Sequence, residues 1–162
     1  MYTVFMIAVL DNIRSVHNVG SIFRTADGAG IQTLYLCGVT PSPVDRFGKI
    51  RDDFSKTALG AEKNVAWESV PSTARLLNKL KKEGWHIVVL EQTKGSVPYN
   101  KLNTGKKQRE KMALVVGNEV SGVSGTALKY ANHVIEIPMR GTKESLNVSV
   151  SFGIAAYELT NN

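Results

Sequence analysis

Short apolar runs alternate with segments of helical periodicity along this chain of 162 residues. Runs such as His86–Leu90 are apolar at almost every position, which is typical of strands covered on both faces. The predicted strands are Val4–Leu10, Thr33–Cys37, Asn64–Trp67, Trp85–Leu90, Met112–Val116 and His133–Ile137. The predicted helices are Val19–Ala29, Thr73–Glu83, Gly125–Tyr130 and Leu146–Thr160. This alternation predicts an α/β fold with a mainly parallel sheet flanked by helices.

Two stretches do not fit the alternation. Residues 41–62 are turn-rich and charged, and residues 93–111 carry the densest group of lysines and arginines in the chain. Neither has the length or composition of a linker, so the pattern predicts one domain over residues 1–162.

Three polar loops each follow an apolar run. The first contains Asn18 and Arg24, and predicts a short helix capped near Asn18 and ended by glycines. The second follows Gly117, and the third runs from Pro138 to Ser149. Because the carboxyl ends of parallel strands meet at one edge of a sheet, the three loops predict a single ligand site there.

The third loop leads into a helix opened by Ser145, Leu146 and Asn147. A helix start carries free backbone N–H groups and the positive end of the helix dipole, which favours polar ligands. Hydroxyls at such a position are also ordinary helix caps, so one serine alone does not distinguish a site from a cap.

In order along the chain, these loops resemble the three motifs of the SpoU/TrmH-type branch of the SPOUT RNA 2′-O-ribose methyltransferase superfamily. The motifs are Asn18 with Arg24–Gly30, Gly117–Glu119 with Gly122, and Ile137–Met139 with Ser145–Ser149. The resemblance spans about Val4 to Glu158. It implies a deep C-terminal trefoil knot, which departs from the general rule that folds are unknotted.

The resemblance also implies a cofactor, S-adenosyl-L-methionine, held in a bent conformation by the loops of the knot. The residues expected to bind it are Val116, Gly117, Asn118, Ile137, Met139, Ser145 and Leu146. Apolar and glycine-rich segments suit adenine that is read largely by backbone groups.

The reaction implied is transfer of a methyl group to a ribose 2′-hydroxyl of RNA. An alcohol is a poor nucleophile at neutral pH, so the site must share its proton and align the reacting atoms. The resemblance implies that Arg24 is the catalytic residue, either as the base or, because a guanidinium keeps its proton, as an electrostatic stabiliser. Asn18 positions Arg24 and the ribose, and Glu119 anchors its loop or merely caps it. Ser145 and Asn147 complete the pocket.

The charge of the chain favours a polyanionic partner. It has 20 basic and 14 acidic residues, a net charge of +6. The expected RNA-binding residues are Arg14, Lys106, Lys107 and Arg109. Lysines and arginines supply most phosphate contacts, although a charge run is often only a solvated face. The resemblance, together with the apolar final helix, implies a homodimer.

Other features exclude several chemistries. The single cysteine, Cys37, lies in an apolar run, where a buried, unreactive thiol is expected. The three histidines lack metal-ligand spacing, and no metal is expected. No leader or membrane span is recognisable, so we expect a cytoplasmic protein with no membrane partner.

Three alternatives remain open at the level of sequence. The chain is a SPOUT enzyme acting on a base nitrogen, a non-catalytic RNA-binding protein of the same fold, or an enzyme acting on a small metabolite. Asn18 with Arg24 favours the ribose branch. No separate RNA-binding domain precedes the first motif, and we expect tRNA rather than rRNA as the substrate.

Overall fold

The computed structural model describes residues 4–161, apart from the side chain of Lys106. Its centre is a seven-stranded sheet with the order β3-β2-β1-β6-β4-β7-β5, in which every pair of neighbours is parallel. The strands are β1 (Phe5–Asp11), β2 (Thr33–Cys37), β3 (Ala66–Val70), β4 (His86–Leu90), β5 (Val97–Pro98), β6 (Lys111–Gly117) and β7 (His133–Glu136). The predicted α/β class with a parallel sheet is confirmed.

Helices cover both faces of the sheet. They are α1 (Val16–Ala29), α2 (Asp52–Ala58), α3 (Ala61–Asn64), α4 (Thr73–Lys82), α5 (Lys106–Arg109), α6 (Gly125–Leu128) and α7 (Val148–Asn161). The apolar side chains of α1, α2 and α7 form one core with alternate residues of β1 and β6, whereas α4 and α6 form a second core on the opposite face. The strands are therefore buried on both sides, as their continuous apolar runs predict.

Several predicted boundaries were wrong. Helix α1 begins at Val16 and is capped by Ser15, whose side chain accepts a hydrogen bond from the Asn18 N–H, so Asn18 lies inside the first turn. Strand β3 begins two residues later than predicted. It is an edge strand with exposed residues, and its apolar pattern is correspondingly weak.

The two stretches outside the predicted pattern have structure of their own. Residues 41–62 contain an antiparallel bridge between Val44 and Ile50, followed by α2 and α3. Residues 93–111 contain β5, a 3₁₀ turn over Tyr99–Lys101, and α5. These elements are too short for periodicity to reveal. Within residues 4–161, no helix is long and apolar enough to cross a membrane.

Candidate active site at the carboxyl edge of the sheet

The three polar loops meet at the carboxyl edge of the sheet. β1 ends at Asp11 beside Gly117, the last residue of β6, and β7 ends two strands further along at Glu136. The segments that follow these strands therefore leave the sheet on the same side. This is the edge at which open α/β sheets bind their ligands.

Asp11 joins the elements beneath this edge. Its carboxylate is 1% exposed and accepts hydrogen bonds from the Thr73 hydroxyl at 2.6 Å and from the Ser124 N–H at 2.8 Å. The Asn12 side-chain amide donates to it as well, at 3.0 Å. A buried carboxylate with three donors fixes the ends of β1, α4 and α6 relative to one another.

A tight turn follows β6. Asn118 and Gly122 exchange backbone hydrogen bonds, and the Asn118 side-chain oxygen accepts from the N–H groups of Val120 and Ser121. Gly122 has a positive φ of 69°, a conformation that glycine adopts without strain. The turn therefore holds Glu119 and Val120 out from the sheet.

Glu119 connects this turn to the loop after β1. Its carboxylate accepts from the backbone N–H groups of Arg14 at 3.1 Å and Ser15 at 3.0 Å, and from the Asn18 amide at 3.0 Å. Partial burial raises the pKa of Glu119, but the hydrogen bonds from Asn18, Ser15 and Arg14 outweigh it, and the net effect lowers the pKa. Glu119 is therefore an ionised anchor and a weak base.

Asn147 extends the connection to the third loop. Its amide N–H donates to the Asn18 side-chain oxygen at 3.1 Å, and its own side-chain oxygen accepts from the Ser149 N–H at 2.9 Å and hydroxyl at 2.6 Å. Asn147 thus caps α7, which begins at Val148 rather than at Leu146 as predicted. Glu119, Asn18 and Asn147 form one hydrogen-bonded chain across all three loops.

A cavity of about 740 Å³ lies beside this chain, between the loops that follow β4, β6 and β7. It is large enough for a ligand of nucleoside size. All seven residues predicted to bind the cofactor line it, together with Glu91, Gln92 and Asn147. Among the described residues, no group of three His, Cys, Asp or Glu side chains is placed to hold a metal ion.

The pattern of apolar runs gave no indication of Glu91 and Gln92. Glu91 directly follows β4, lines the cavity, and accepts a hydrogen bond from the Val123 N–H at 2.9 Å. Gln92 donates to the Glu144 carbonyl at 2.8 Å and so holds the third loop. Both residues directly follow the carboxyl end of a buried strand. Polar residues at this position are candidates for a ligand site, so their position in the sequence could have identified them.

Arg24 does not line this cavity. It is exposed on α1, and no described residue forms a hydrogen bond or ion pair with its guanidinium. Arg24 lies six residues after Asn18 on this helix. The two residues are therefore about 9 Å apart along the helix axis and about a third of a turn apart around it. The chain by itself therefore does not bring Arg24 to the other predicted site residues.

The residues predicted to bind RNA lie at two places. Arg14 is exposed beside Glu119, at the carboxyl edge. Lys107 and Arg109 belong to α5, which precedes β6 and lies at the amino edge, about 20 Å from Gly117 for a seven-residue strand. Arg109 donates to the Thr104 hydroxyl at 3.0 Å. The side chain of Lys106 lies outside the described residues.

Cys37 is fully buried. Burial raises the pKa of its thiol to about 12, with a further contribution from Asp11, against the lowering effect of a hydrogen bond with Thr73. A thiol with this pKa is not ionised at neutral pH, so the structure excludes Cys37 as a nucleophile.

The chain is similar to known RNA methyltransferases. The family model described as "SpoU rRNA Methylase family" matches residues 6–157. A tRNA (guanosine(18)-2′-O)-methyltransferase from Aquifex aeolicus is 35% identical over 94% of this chain and 67% of its own length. A 23S rRNA (guanosine-2′-O-)-methyltransferase from Neisseria meningitidis is 32% identical over 94% of this chain and 57% of its own.

Among solved structures, an AdoMet-bound rRNA methyltransferase from Sinorhizobium meliloti superposes with a TM-score of 0.86. The two chains are 24% identical, and the match covers 98% of this chain and 57% of the other. This likeness shows the fold. The chain belongs to the SpoU methylase family, as its three motifs predict.

Proposed function

We propose that this protein transfers a methyl group from S-adenosyl-L-methionine to a ribose 2′-hydroxyl of RNA. The observation that carries the proposal is the hydrogen-bonded chain from Glu119 through Asn18 to Asn147, which joins all three motifs beside the large cavity. Family membership supports the reaction, and the relatives named above act on tRNA or 23S rRNA.

The lining of the cavity fits the cofactor. Val116, Ile137 and Met139 offer apolar surface for an adenine ring, and Ser145 and Gln92 offer polar groups for the ribose and the amino-acid end. When bound, S-adenosyl-L-methionine supplies an activated methyl group on a sulfonium.

The two asparagines are prepared to hold a ribose. Asn18 donates one amide hydrogen to Glu119, and Asn147 donates one to Asn18. An amide carries two such hydrogens, so each side chain keeps one for an RNA oxygen. Their orientation is fixed before substrate arrives, which lowers the cost of alignment. Glu119, with its lowered pKa, secures Asn18 and is poorly suited to remove the 2′-hydroxyl proton.

We propose further that the active form is a homodimer in which Arg24 completes the partner's site. Arg24 is exposed and does not line the cavity of its own subunit. The neighbouring helix α7 exposes 51% of Val150 and 47% of Tyr157, which lie seven residues apart and therefore on one face of the helix. In the partner's site the guanidinium would contact phosphate and stabilise the developing alkoxide, a role that needs no change in its protonation.

The trefoil knot is also a proposal. β4 lies between β6 and β7, and α7 returns to pack against both β6 and β4. This return path supports a chain threaded through the loop that follows Gly117. A cytoplasmic location is proposed because the lone cysteine is a buried free thiol.

Labelled methyl transfer tests the activity and the substrate class. The protein is incubated with methyl-labelled cofactor and either unmodified tRNA or 23S rRNA transcripts. We expect label in RNA, with tRNA the better substrate, since the tRNA enzyme from Aquifex matches over the larger share of its length. Asn147→Ala should reduce transfer by about 100-fold, and the exposed-site control Lys82→Gln should not. Label in neither RNA would contradict the proposal.

A further inference from the structure

A second, smaller cavity lies on the other side of Ile137. Its volume is about 330 Å³, and we call it the Tyr99 groove. It is lined by Pro98, Tyr99, Asn100, Lys101, Ile137, Pro138 and Arg140. Ile137 also lines the large cavity, so the two cavities are neighbours.

The groove opens at the same edge of the sheet as the candidate active site. Its two walls follow β5 and β7, which are parallel neighbours paired at Pro98 and Glu136. Both walls therefore begin at carboxyl ends of strands. Arg140 directly follows Met139, which lines the large cavity. Because Ile137 lines both cavities, RNA that reaches the cofactor held in the large cavity would have the groove beside it.

The chemistry of the groove is aromatic and cationic. Tyr99 is half-buried and packs against the main core, which fixes its ring. Lys101 and Arg140 are exposed, and no acidic side chain is among the described lining residues. The nearest carboxylate along the chain, Glu136, accepts a hydrogen bond from Ser96 at 2.9 Å and faces the large cavity.

We infer that the Tyr99 groove binds the RNA nucleotide next to the one that is methylated, with its base stacked on Tyr99 and its phosphates on Lys101 and Arg140. Fixed aromatic rings combined with lysine or arginine are how proteins hold single-stranded RNA without reading its sequence. The inference rests on the proposed function and names the substrate contact of that same site.

The test measures binding of a labelled single-stranded hexauridylate and of a tRNA transcript at several salt concentrations. Lys101→Gln/Arg140→Gln should make the slope of log K against log salt less steep by about 1.4, or about 0.7 for each single-strand phosphate that the variant no longer neutralises. Tyr99→Leu keeps an apolar side chain against the core but removes the ring. It should weaken binding about tenfold with an unchanged slope, and Tyr99→Phe should restore the affinity.

The control double variant, Lys63→Gln/Lys82→Gln, removes the same charge from exposed sites elsewhere and should leave slope and affinity near those of the wild type. Affinity for S-adenosyl-L-methionine, measured by calorimetry, should be unchanged in the groove variants. If the wild-type protein methylates RNA and the groove variants bind RNA as the control variant does, the inference is overturned and the proposed function is not. A wild type that neither binds nor methylates RNA would overturn the proposed function instead.

Photo-cross-linking with 4-thiouridine RNA gives a second, independent readout. The expected cross-link joins the RNA to the peptide that contains Tyr99. Phe47 is 79% exposed at the tip of another loop, with the Arg46 guanidinium 4.7 Å from its ring centroid. Cross-links confined to that loop would assign the neighbouring nucleotide to Phe47 and would contradict the inference.

Discussion

Single side chains at the candidate site are used mainly to hold other side chains. Glu119 binds two backbone N–H groups and Asn18, and Asn147 binds Asn18 and the start of α7. The groups left over for a substrate are one amide hydrogen on each asparagine and the exposed hydroxyl of Ser145. Precision in the site therefore depends on residues that are themselves held in place.

Replacement of Glu119 by Gln should make the free energy of unfolding less dependent on pH. The pKa of Glu119 is lowered from its ordinary value of 4.5, so the carboxylate adds stability above that pH and loses it as pH falls through the folded-state pKa. Urea unfolding should therefore give a higher free energy of unfolding for wild type than for Glu119→Gln at neutral pH, by under about 1 kcal/mol for so exposed a group. The difference should shrink as pH falls below 4.5. A difference that grows in acid would contradict this account.

At the scale of elements, the buried strands could be predicted from the sequence and the short connections could not. β2 was predicted with its observed bounds, because a strand covered on both faces is apolar throughout. The start of α1 was misplaced because Ser15, not Asn18, caps it. Serine and asparagine are both common helix caps, so the sequence alone does not distinguish Ser15 from Asn18. In the structure the Asn18 side chain donates to Glu119 instead of capping the helix.

The residues of the candidate site also include some that could be predicted from the sequence and some that could not. The cavity-lining residues that belong to the motifs could be named in advance, whereas Glu91 and Gln92 could not. The place of Arg24 could not be named either, since it depends on how α1 is rotated and on whether a second subunit is present. The predicted RNA-binding residues Lys107 and Arg109 lie only one strand from Gly117 in sequence. A strand is straight, however, so that spacing places α5 at the opposite edge.

Gly117 has a structural role in the turn that follows β6. A Cβ at this position would collide with the backbone of Gly122 and Val123, inside the turn that carries Glu119. Gly117→Ala should therefore distort the turn, cost about 1–3 kcal/mol of stability, and weaken cofactor binding. The matched control is Gly125→Ala, since a Cβ there meets nothing within 4 Å. Denaturation and calorimetry should show a loss only in the first variant, and equal behaviour of the two would contradict the role assigned to the turn.

At the scale of the whole molecule, the candidate contacts for RNA are spread along the carboxyl edge. The large cavity lies near the middle of the sheet, and the Tyr99 groove lies beside the edge strand β5. Arg24 and the exposed residues of α7 lie on a helical face that a second subunit would cover. The proposed dimer would bring these separate features into one site.

Mixing two inactive variants tests that arrangement. If Arg24 acts in the partner's site, mixed dimers of Arg24→Ala and Asn147→Ala contain one intact site. Re-equilibrated mixtures should then recover about a quarter of the wild-type rate, since half of the dimers are mixed and half of their sites are whole. Sedimentation should show the dimer in every sample. No recovery in a mixture that forms dimers would place Arg24 in its own subunit's site.

The chemical position of the transferred methyl group distinguishes a ribose 2′-O-methyltransferase from an enzyme that acts on a base. RNA methylated by the purified protein is digested to nucleosides, and the products are identified by mass spectrometry. We expect a 2′-O-methylribonucleoside, in which the added mass stays with the sugar fragment, and we expect Asn147→Ala to lose this product. A methyl group on a base nitrogen, or no methylated nucleoside from either tRNA or rRNA, would contradict the proposed function.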